Sequence, residues 1–541
     1  MSDNEPGTQG STPGSTQGAE ATPRPRRRRR GLLWAFLVGG ALVTFVIATL
    51  LVSIVQRKAE DQSTFVKVAD LSETTSDPSV WGRNFPPEYE GWKATEQMEP
   101  RDQVAHTPTA QDPRTTVSQQ KLEKDPRLVT MWQGYAFSID YREPRGHYYM
   151  LIDQRYTRRT LERPQPGACL NCHASLPEIT TKLGNGDQAA GWAAMNKMPY
   201  KEATTLATHP VGCIDCHDPK SMALRVTRPA FIAGIAQYKA TQGIKNYDVN
   251  KQATVQEMRS FVCAQCHVEY YFKGQQKTLT FPWEKGLTVD DVLAYYDKVG
   301  WTDFTHKLTG ARVIKAQHPD FETYSQGVHA KAGVTCADCH MSYKREGAMK
   351  ITDHQVRSPM TSDVTINQSC LTCHHTTEAD MRERVTTIHD RYEHAKNVSF
   401  DALTALITDI QKATTSGAPA DRIAKAQAYQ RKGQFFMDYV VSENSRGFHA
   451  PQYTLRVLND VTDASRLGQL ALLGIEPTTT TTHALQHPDP PSCCRLSPNV
   501  PLQPAPNRST HVPPSQCTPP QTSPPTQSRQ QRNADSTPDR T

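Results

Sequence analysis

At 541 residues the chain has room for two or three ordinary domains, yet only 37% of it is apolar and its mean hydropathy is −0.62. The formal charge of +6 does not mark a nucleic-acid-binding face. Residues 1–60 carry net +4, the stretch from Glu476 onward net +1, and everything between them about +1.

Residues 1–30 open on a Gly/Ser/Thr-rich stretch that reads as a disordered cytoplasmic N-terminus. It ends in the run Arg26 to Arg30, which directly precedes an uncharged apolar segment at residues 31–55, closed by Gln56, Arg57 and Lys58. A helix of that length covers the roughly 30 Å of bilayer hydrocarbon. The arginines predict a cytoplasmic start and export of everything that follows. A signal peptide is the alternative, but its apolar region is shorter and no small-x-small cleavage site follows here, so an uncleaved anchor is favoured. The chain is therefore expected in the cell membrane as a single-pass protein with its bulk outside the cytoplasm.

Residues 56–375 contain ten of the 13 cysteines, in five copies of one pattern: Cys169–Cys172–His173, Cys213–Cys216–His217, Cys263–Cys266–His267, Cys336–Cys339–His340 and Cys370–Cys373–His374. C-x-x-C-H is the attachment signature of c-type haem. Two thiols three apart on one helical turn reach the two vinyl groups of one porphyrin, and the adjacent imidazole takes the iron. A zinc ribbon does not require the neighbouring histidine, and a disulfide framework does not explain it. Five haems replace part of an aliphatic core, so the expected fold is mainly α, with a loop-rich haem region and scarce strands. Residues 61–168 read as loops and short helices.

In residues 376–475 the apolar spacing becomes helical. It predicts helices from Glu378 to roughly Thr415, from about Asp421 to Asn444 and from about Tyr453 to Leu473, the first broken by the SGAP of 416–419. These serve the core or a subunit contact. Residues 476–541 hold 15 of the 39 prolines and read as a disordered tail, with Cys493, Cys494 and Cys517 incidental to the haem pattern.

Each motif supplies one axial ligand, so the chemistry belongs at a haem that lacks a second. Fourteen histidines lie outside the motifs. His147 in PRGH, His318 in KAQHPDFE, His329 shortly before Cys336, His354 in TDHQ and His449 in GFHAP have the most defined contexts. His209, four residues before Cys213, is ambiguous. His106, His306, His375, His389, His394, His483, His487 and His511 are expected at the surface.

Successive motifs start 44, 50, 73 and 34 residues apart. That rhythm, with PRGH, CAQCHVEYY, KAQHPDFE, TDH and GFHAP, resembles the pentahaem cytochrome c nitrite reductases that form ammonium, over about residues 80 to 470. The resemblance implies an active haem on Cys169 and Cys172, with His173 on its iron. Many members carry C-x-x-C-K there, and histidine occurs in part of the family. It further implies four closed haems that pair His217 with His354, His267 with His147, His340 with His449 and His374 with His329. The distal pocket would hold Arg159, Tyr270 and His318, with Arg158 the alternative for the arginine. A calcium ion would take the Glu269 and Gln317 side chains and the carbonyls of Tyr270 and Lys315. Nitrite would be the substrate, a quinol-oxidising membrane cytochrome c or another redox protein the donor, and a homodimer the assembly. Two other readings remain at this point: an electron carrier with every iron closed, His209 filling the first, and a related enzyme acting mainly on hydroxylamine or sulfite.

Overall fold

The computed structural model describes residues 27–61, 67–97, 103–347 and 349–476. Most of the stretch expected to be a disordered N-terminus, and the expected disordered tail from residue 477 on, with its three cysteines, lie outside the described residues. The chain is mainly helical. Its strands, among the described residues, form four two-stranded antiparallel hairpins, the longest pairing Tyr343–Glu346 with Met349–Thr352.

The apolar segment lies in one helix, α1 (Arg27–Asp61). Its stretch Trp34–Gln56 has a mean hydropathy of 2.5 and is unburied. Among the described residues it is the one helix long and apolar enough to cross a membrane. A helix apolar all round with nothing packed over it is unlike a core helix of a soluble domain.

Between Pro78 and Ser369 the helices are short, and the five C-x-x-C-H motifs sit on or at the ends of such turns. The third motif begins within α2 (Val255–Ala264), which starts in a reciprocal cap: the Thr254 hydroxyl accepts from the N–H of Glu257, whose carboxylate takes the N–H of Thr254. The helix α3 (Val289–Val299) uses the same device through Thr288 and Asp291. It stops at Gly300, whose φ of +66° suits a residue without a Cβ.

The C-terminal region is three long helices, α4 (Glu378–Thr415), α5 (Ala420–Ser442) and α6 (Pro451–Leu473), close to the ranges the periodicity predicts. Gly417 at φ +74° and Pro419 make the break between α4 and α5. Phe400, Leu403, Phe435 and Val457 are fully buried where the three helices meet, in one core with Trp132 and Tyr296. A bond from Trp132 Nε1 to Asp438 Oδ2, 2.9 Å, ties the first half of the chain to α5. A second aromatic cluster around Phe231, Phe261, Phe281 and Trp283 underlies the third motif, and a smaller one around Leu170, Ile179 and Met195 underlies the first.

His306 corrects an expectation. It is buried, not at the surface, and its Nε2 lies 2.9 Å from the carbonyl of Thr130. Its neighbours Phe304 and Ala311 are core residues, and a neutral imidazole with a carbonyl partner is an ordinary core side chain.

Candidate active site

The motif histidines are the natural starting point, because their neighbours differ. His217 faces His354 with ring centroids 6.2 Å apart, His374 faces His329 at 6.3 Å, and His340 faces His449 at 6.3 Å. Two imidazoles held across one metal at the usual nitrogen distance of about 2 Å put ring centres about 6 Å apart. His267 is near enough to His147 to act on it electrostatically, though burial is the main reason the His147 pKa falls to about 4. The residues the resemblance pairs are thus neighbours, and the spacing of three pairs fits an iron between them.

The outer ring nitrogens are held as axial ligands require. The Nδ1 atoms of His173, His217, His340 and His354 lie 2.9, 2.9, 3.1 and 2.8 Å from the carbonyls of Met150, Met222, Arg357 and Thr352. Each contact leaves Nε2 free to face a metal. Burial takes His173 down to about 4, against the pull of the Met150 carbonyl.

Around the first motif a different set converges. Arg159 lies on the short helix Arg158–Glu162, half-buried, with its guanidinium 4.4 Å from the Phe137 ring centre and Nη1 donating to the carbonyl of Asp140 at 2.9 Å. It acts electrostatically on both Cys169 and His173. Arg158 is exposed and pairs with Glu162 at 2.6 Å, so of the two arginines only Arg159 reaches inward. Tyr270 is held far above the usual phenol range, first by burial and then by the nearby sulfurs of Cys169 and Cys172. His318 is driven down to about 3, mainly by burial, with Asp320 opposing and Lys315 and His173 adding to the drop. His209 contributes backbone here: its carbonyl accepts from the N–H of Ser175 at 3.0 Å.

The expected calcium residues are also drawn together. Glu269 is fully buried; its Oε2 accepts the N–H of Gln317 at 2.5 Å and its Oε1 the Tyr296 hydroxyl at 2.8 Å. The Gln317 amide lies 3.1 Å from the carbonyl oxygen of Lys315. The Lys315 ammonium is turned the other way, onto Asp438 and Ser442 of α5, 2.9 Å from each. Burial holds the Glu269 carboxyl well above the usual range, and neighbouring Glu322 is pushed up to about 8 by the same cause. One oxygen of Glu322 is buried without a hydrogen-bond partner. Two buried acids in electrostatic contact, with carbonyl and amide oxygens nearby, form a donor set that suits a hard divalent cation.

Sequence reasoning missed several residues that shape the site. Arg228 is fully buried, paired to Asp215 at 2.7 Å and bonded to the carbonyls of Asn171 and Ala174 on either side of His173, at 2.6 and 2.9 Å. Asp215 lies inside the second motif, so one guanidinium joins two motifs. Glu322, Asp320 and Glu443 were missed as well. Asp320 alone had a signal, its place two residues after His318.

Comparison with known proteins shows the family of the chain. The family model for cytochrome c552 matches residues 77–501. Cytochrome c-552 of Bacteroides fragilis is 36% identical over 449 residues, covering 81% of this chain and 85% of that one. Cytochrome c-552 of Desulfotalea psychrophila is 33% identical over 459 residues, covering 81% and 83%. The solved cytochrome c nitrite reductase of Desulfovibrio desulfuricans, whose catalytic subunit is described with two calcium sites, superposes with a TM-score of 0.63 at 28% identity, over 75% of this chain and 87% of that one. The chain belongs to the cytochrome c552 family.

Proposed function

We propose that this protein reduces nitrite to ammonium at a c-type haem held by Cys169, Cys172 and His173. Four further haems on the remaining motifs would carry electrons to it. One observation carries the reading: four motif histidines each have a second imidazole as neighbour, while the first motif is met by a cation, a phenol and a buried imidazole. The solved nitrite reductase with the same fold supports it.

When bound, the haems supply single electrons and, at the first motif, an open iron position for the anion's nitrogen. The conversion takes six electrons and eight protons and releases two waters. Arg159 gives the anion's oxygens a planar charged donor whose direction is fixed by Phe137 and the Asp140 carbonyl. His318 sits neutral in its buried pocket; an arriving anion favours its charged form, so the imidazole takes a proton where one is needed and passes it to oxygen as N–O bonds break. Tyr270, held as a neutral phenol, donates a hydrogen bond. Calcium would be held by Glu269, Gln317 and the carbonyls of Lys315 and Tyr270. It would replace the proton on Glu269 and stiffen the segment that carries His318.

Residues 31–55 would anchor the protein, with the haem region outside the cytoplasm, a separate membrane cytochrome c or other redox protein as donor, and residues 376–475 as the contact of a homodimer. The test uses the haem-loaded protein with a reduced viologen dye as donor. Ammonium formed in a one-to-one ratio with nitrite consumed, together with carbon monoxide binding at one haem after reduction, is the expected result. Five low-spin haems inert to carbon monoxide, or turnover of hydroxylamine or sulfite but not nitrite, would overturn it.

A further inference from the structure

Two of the imidazoles expected to ligate iron rest on carboxylates instead of carbonyls. His267 Nδ1 lies 2.9 Å from Asp320 Oδ2, and His449 Nδ1 lies 2.6 Å from Glu443 Oε1. The first is an aligned hydrogen bond, the second a close charge contact that falls short of one. Both carboxylates are buried and individually secured. Asp320 Oδ1 accepts the N–H of Asn444 at 2.8 Å, and its Oδ2 accepts the Asn444 side-chain amide at 2.9 Å. Glu443 accepts the N–H and the hydroxyl of Ser445, at 3.0 and 2.8 Å. That hydroxyl in turn accepts the N–H of His449 at 2.9 Å. Asp320, Glu443 and His449 lie close enough together to suggest a separate cation site. Their oxygens already have donors, however, and His449 presents its other face to His340.

The segment that holds Asp320 is itself locked to the third motif. The N–H of Phe321 donates to the carbonyl of His267 at 3.1 Å, and the N–H of Asp320 donates to the carbonyl of His318 at 2.7 Å. The third motif is also central among the motifs: the Cys172 thiol of the first acts electrostatically on Cys266, and Cys336 of the fourth on Cys263. The two carboxylates therefore serve adjacent motifs, one of which touches the catalytic one.

We infer that Asp320 and Glu443 are potential-setting residues, holding the haems of the third and fourth motifs at lower reduction potential than carbonyl partners would. At Asp320 the reason is the sharing of the Nδ1 proton, and at Glu443 it is the negative charge held against the His449 ring, which favours the more positive ferric state. A carboxylate draws that proton more strongly than a carbonyl does, which makes Nε2 the better electron donor and favours ferric over ferrous iron. The first-motif ligand His173 has only the Met150 carbonyl behind it. Asp320 thereby biases each electron towards the first motif, the direction that six-electron chemistry needs. The inference rests on the haem assignment proposed above but not on the identity of the substrate.

The experiment is potentiometric titration of the full haem-loaded chain, followed by visible absorption and by the low-spin electron paramagnetic resonance signals. Asp320→Asn keeps the size and removes the charge. It is expected to raise the ferrous-to-ferric ratio of one haem about tenfold at a fixed applied potential, a shift of about 59 mV for a one-electron couple, and to move that haem's resonance. Glu443→Gln is expected to raise a different haem by a smaller factor. Asp320→Glu is expected to return the haem of the third motif towards its original value, which a purely structural role for Asp320 does not predict. Asn444→Ala removes the side-chain amide from Asp320 Oδ2 while keeping the backbone N–H on Oδ1, strengthens the hold of Oδ2 on the His267 proton and should lower the same haem. If all five potentials stay within threefold in ratio while haem content is unchanged, the inference is wrong. If Asp320→Asn fails to load haem, Asn444→Ala and Glu443→Gln decide it. Shifted potentials in a protein that does not reduce nitrite would leave this inference standing and remove the proposed function alone.

Discussion

Arg158 and Arg159 are consecutive on one helical turn, yet one salt-bridges Glu162 in solvent and the other lies over Phe137 beside the first motif. Successive residues on a helix face about 100° apart, so a single position decides which guanidinium meets a ligand. Arg159→Ala is expected to lower kcat/KM for nitrite by roughly 30- to 100-fold, the loss of a charge-assisted bond of about 2–3 kcal/mol. Arg158→Ala should stay within about 0.5 kcal/mol of the parent in both stability and activity. Steady-state kinetics with the dye donor distinguishes the two. Arg228 differs in kind. Removing it with Arg228→Ala leaves Asp215 charged and fully buried and frees the carbonyls around His173, a break that typically costs about 3–5 kcal/mol. The readout is a lower melting temperature, with loss of the first haem by absorption before the others.

At the scale of an element, the stretch from Lys315 to Glu322 does more than any helix. Lys315 pins it to α5, Gln317 meets Glu269, His318 faces the pocket, Asp320 holds His267, and Glu322 accepts from the N–H of Glu269 and from Trp283. At the proposed cation site, its acids would make calcium and protons competitors. Glu322 is raised by burial from an ordinary 4.5 to about 8 in the folded chain, so the fold holds a proton there that the unfolded chain releases. The stability this contributes is complete below pH 4.5 and is lost as pH rises through 8. With chelator present, melting temperature is expected to fall over that window. Calcium at the proposed site would replace protons on Glu269 and Glu322, so it should flatten the fall, and its apparent affinity should rise with pH up to about 8. A melting curve that is independent of pH between 5 and 8 after calcium removal would contradict this account. Among the long helices, α4 begins with Thr377 capping the N–H of Asp380. Thr377→Ala should cost about 1 kcal/mol without touching the haem spectra.

Over the whole molecule, what could be read in advance was what is local. The C-x-x-C-H turns carry their meaning within five residues, and α4, α5 and α6 announce themselves by apolar period and by the break at 416–419. The neighbouring of His217 with His354, or of His340 with His449, was reachable only through family resemblance, because contacts across more than a hundred residues leave no pattern in the chain. Separation in the chain also hid Arg228 from the first motif, more than fifty residues away, and Asp320 from Asn444, more than a hundred away. His306 was misplaced for the related reason that burial of a polar ring depends on a carbonyl from elsewhere, here Thr130. The unburied surface of α1 gives a prediction at this scale: the full chain should partition with membranes, and a chain in which residues 1–61 are replaced by a cleavable export signal should be recovered in the soluble fraction with its haem spectra and dye-driven activity intact.

The sulfur contacts between motifs set an order for biogenesis. Cys172 is near enough to Cys266 to act on it electrostatically, and Cys336 on Cys263. In an oxidising compartment two thiols that close, if still bare, invite a disulfide bridging one turn to another. Such a bridge consumes two attachment points at once and traps an apoprotein that no later step can fill. On the proposed haem assignment, coupling the macrocycles while the chain is still extended avoids that trap, and maturation becomes a contest between attachment and premature collapse.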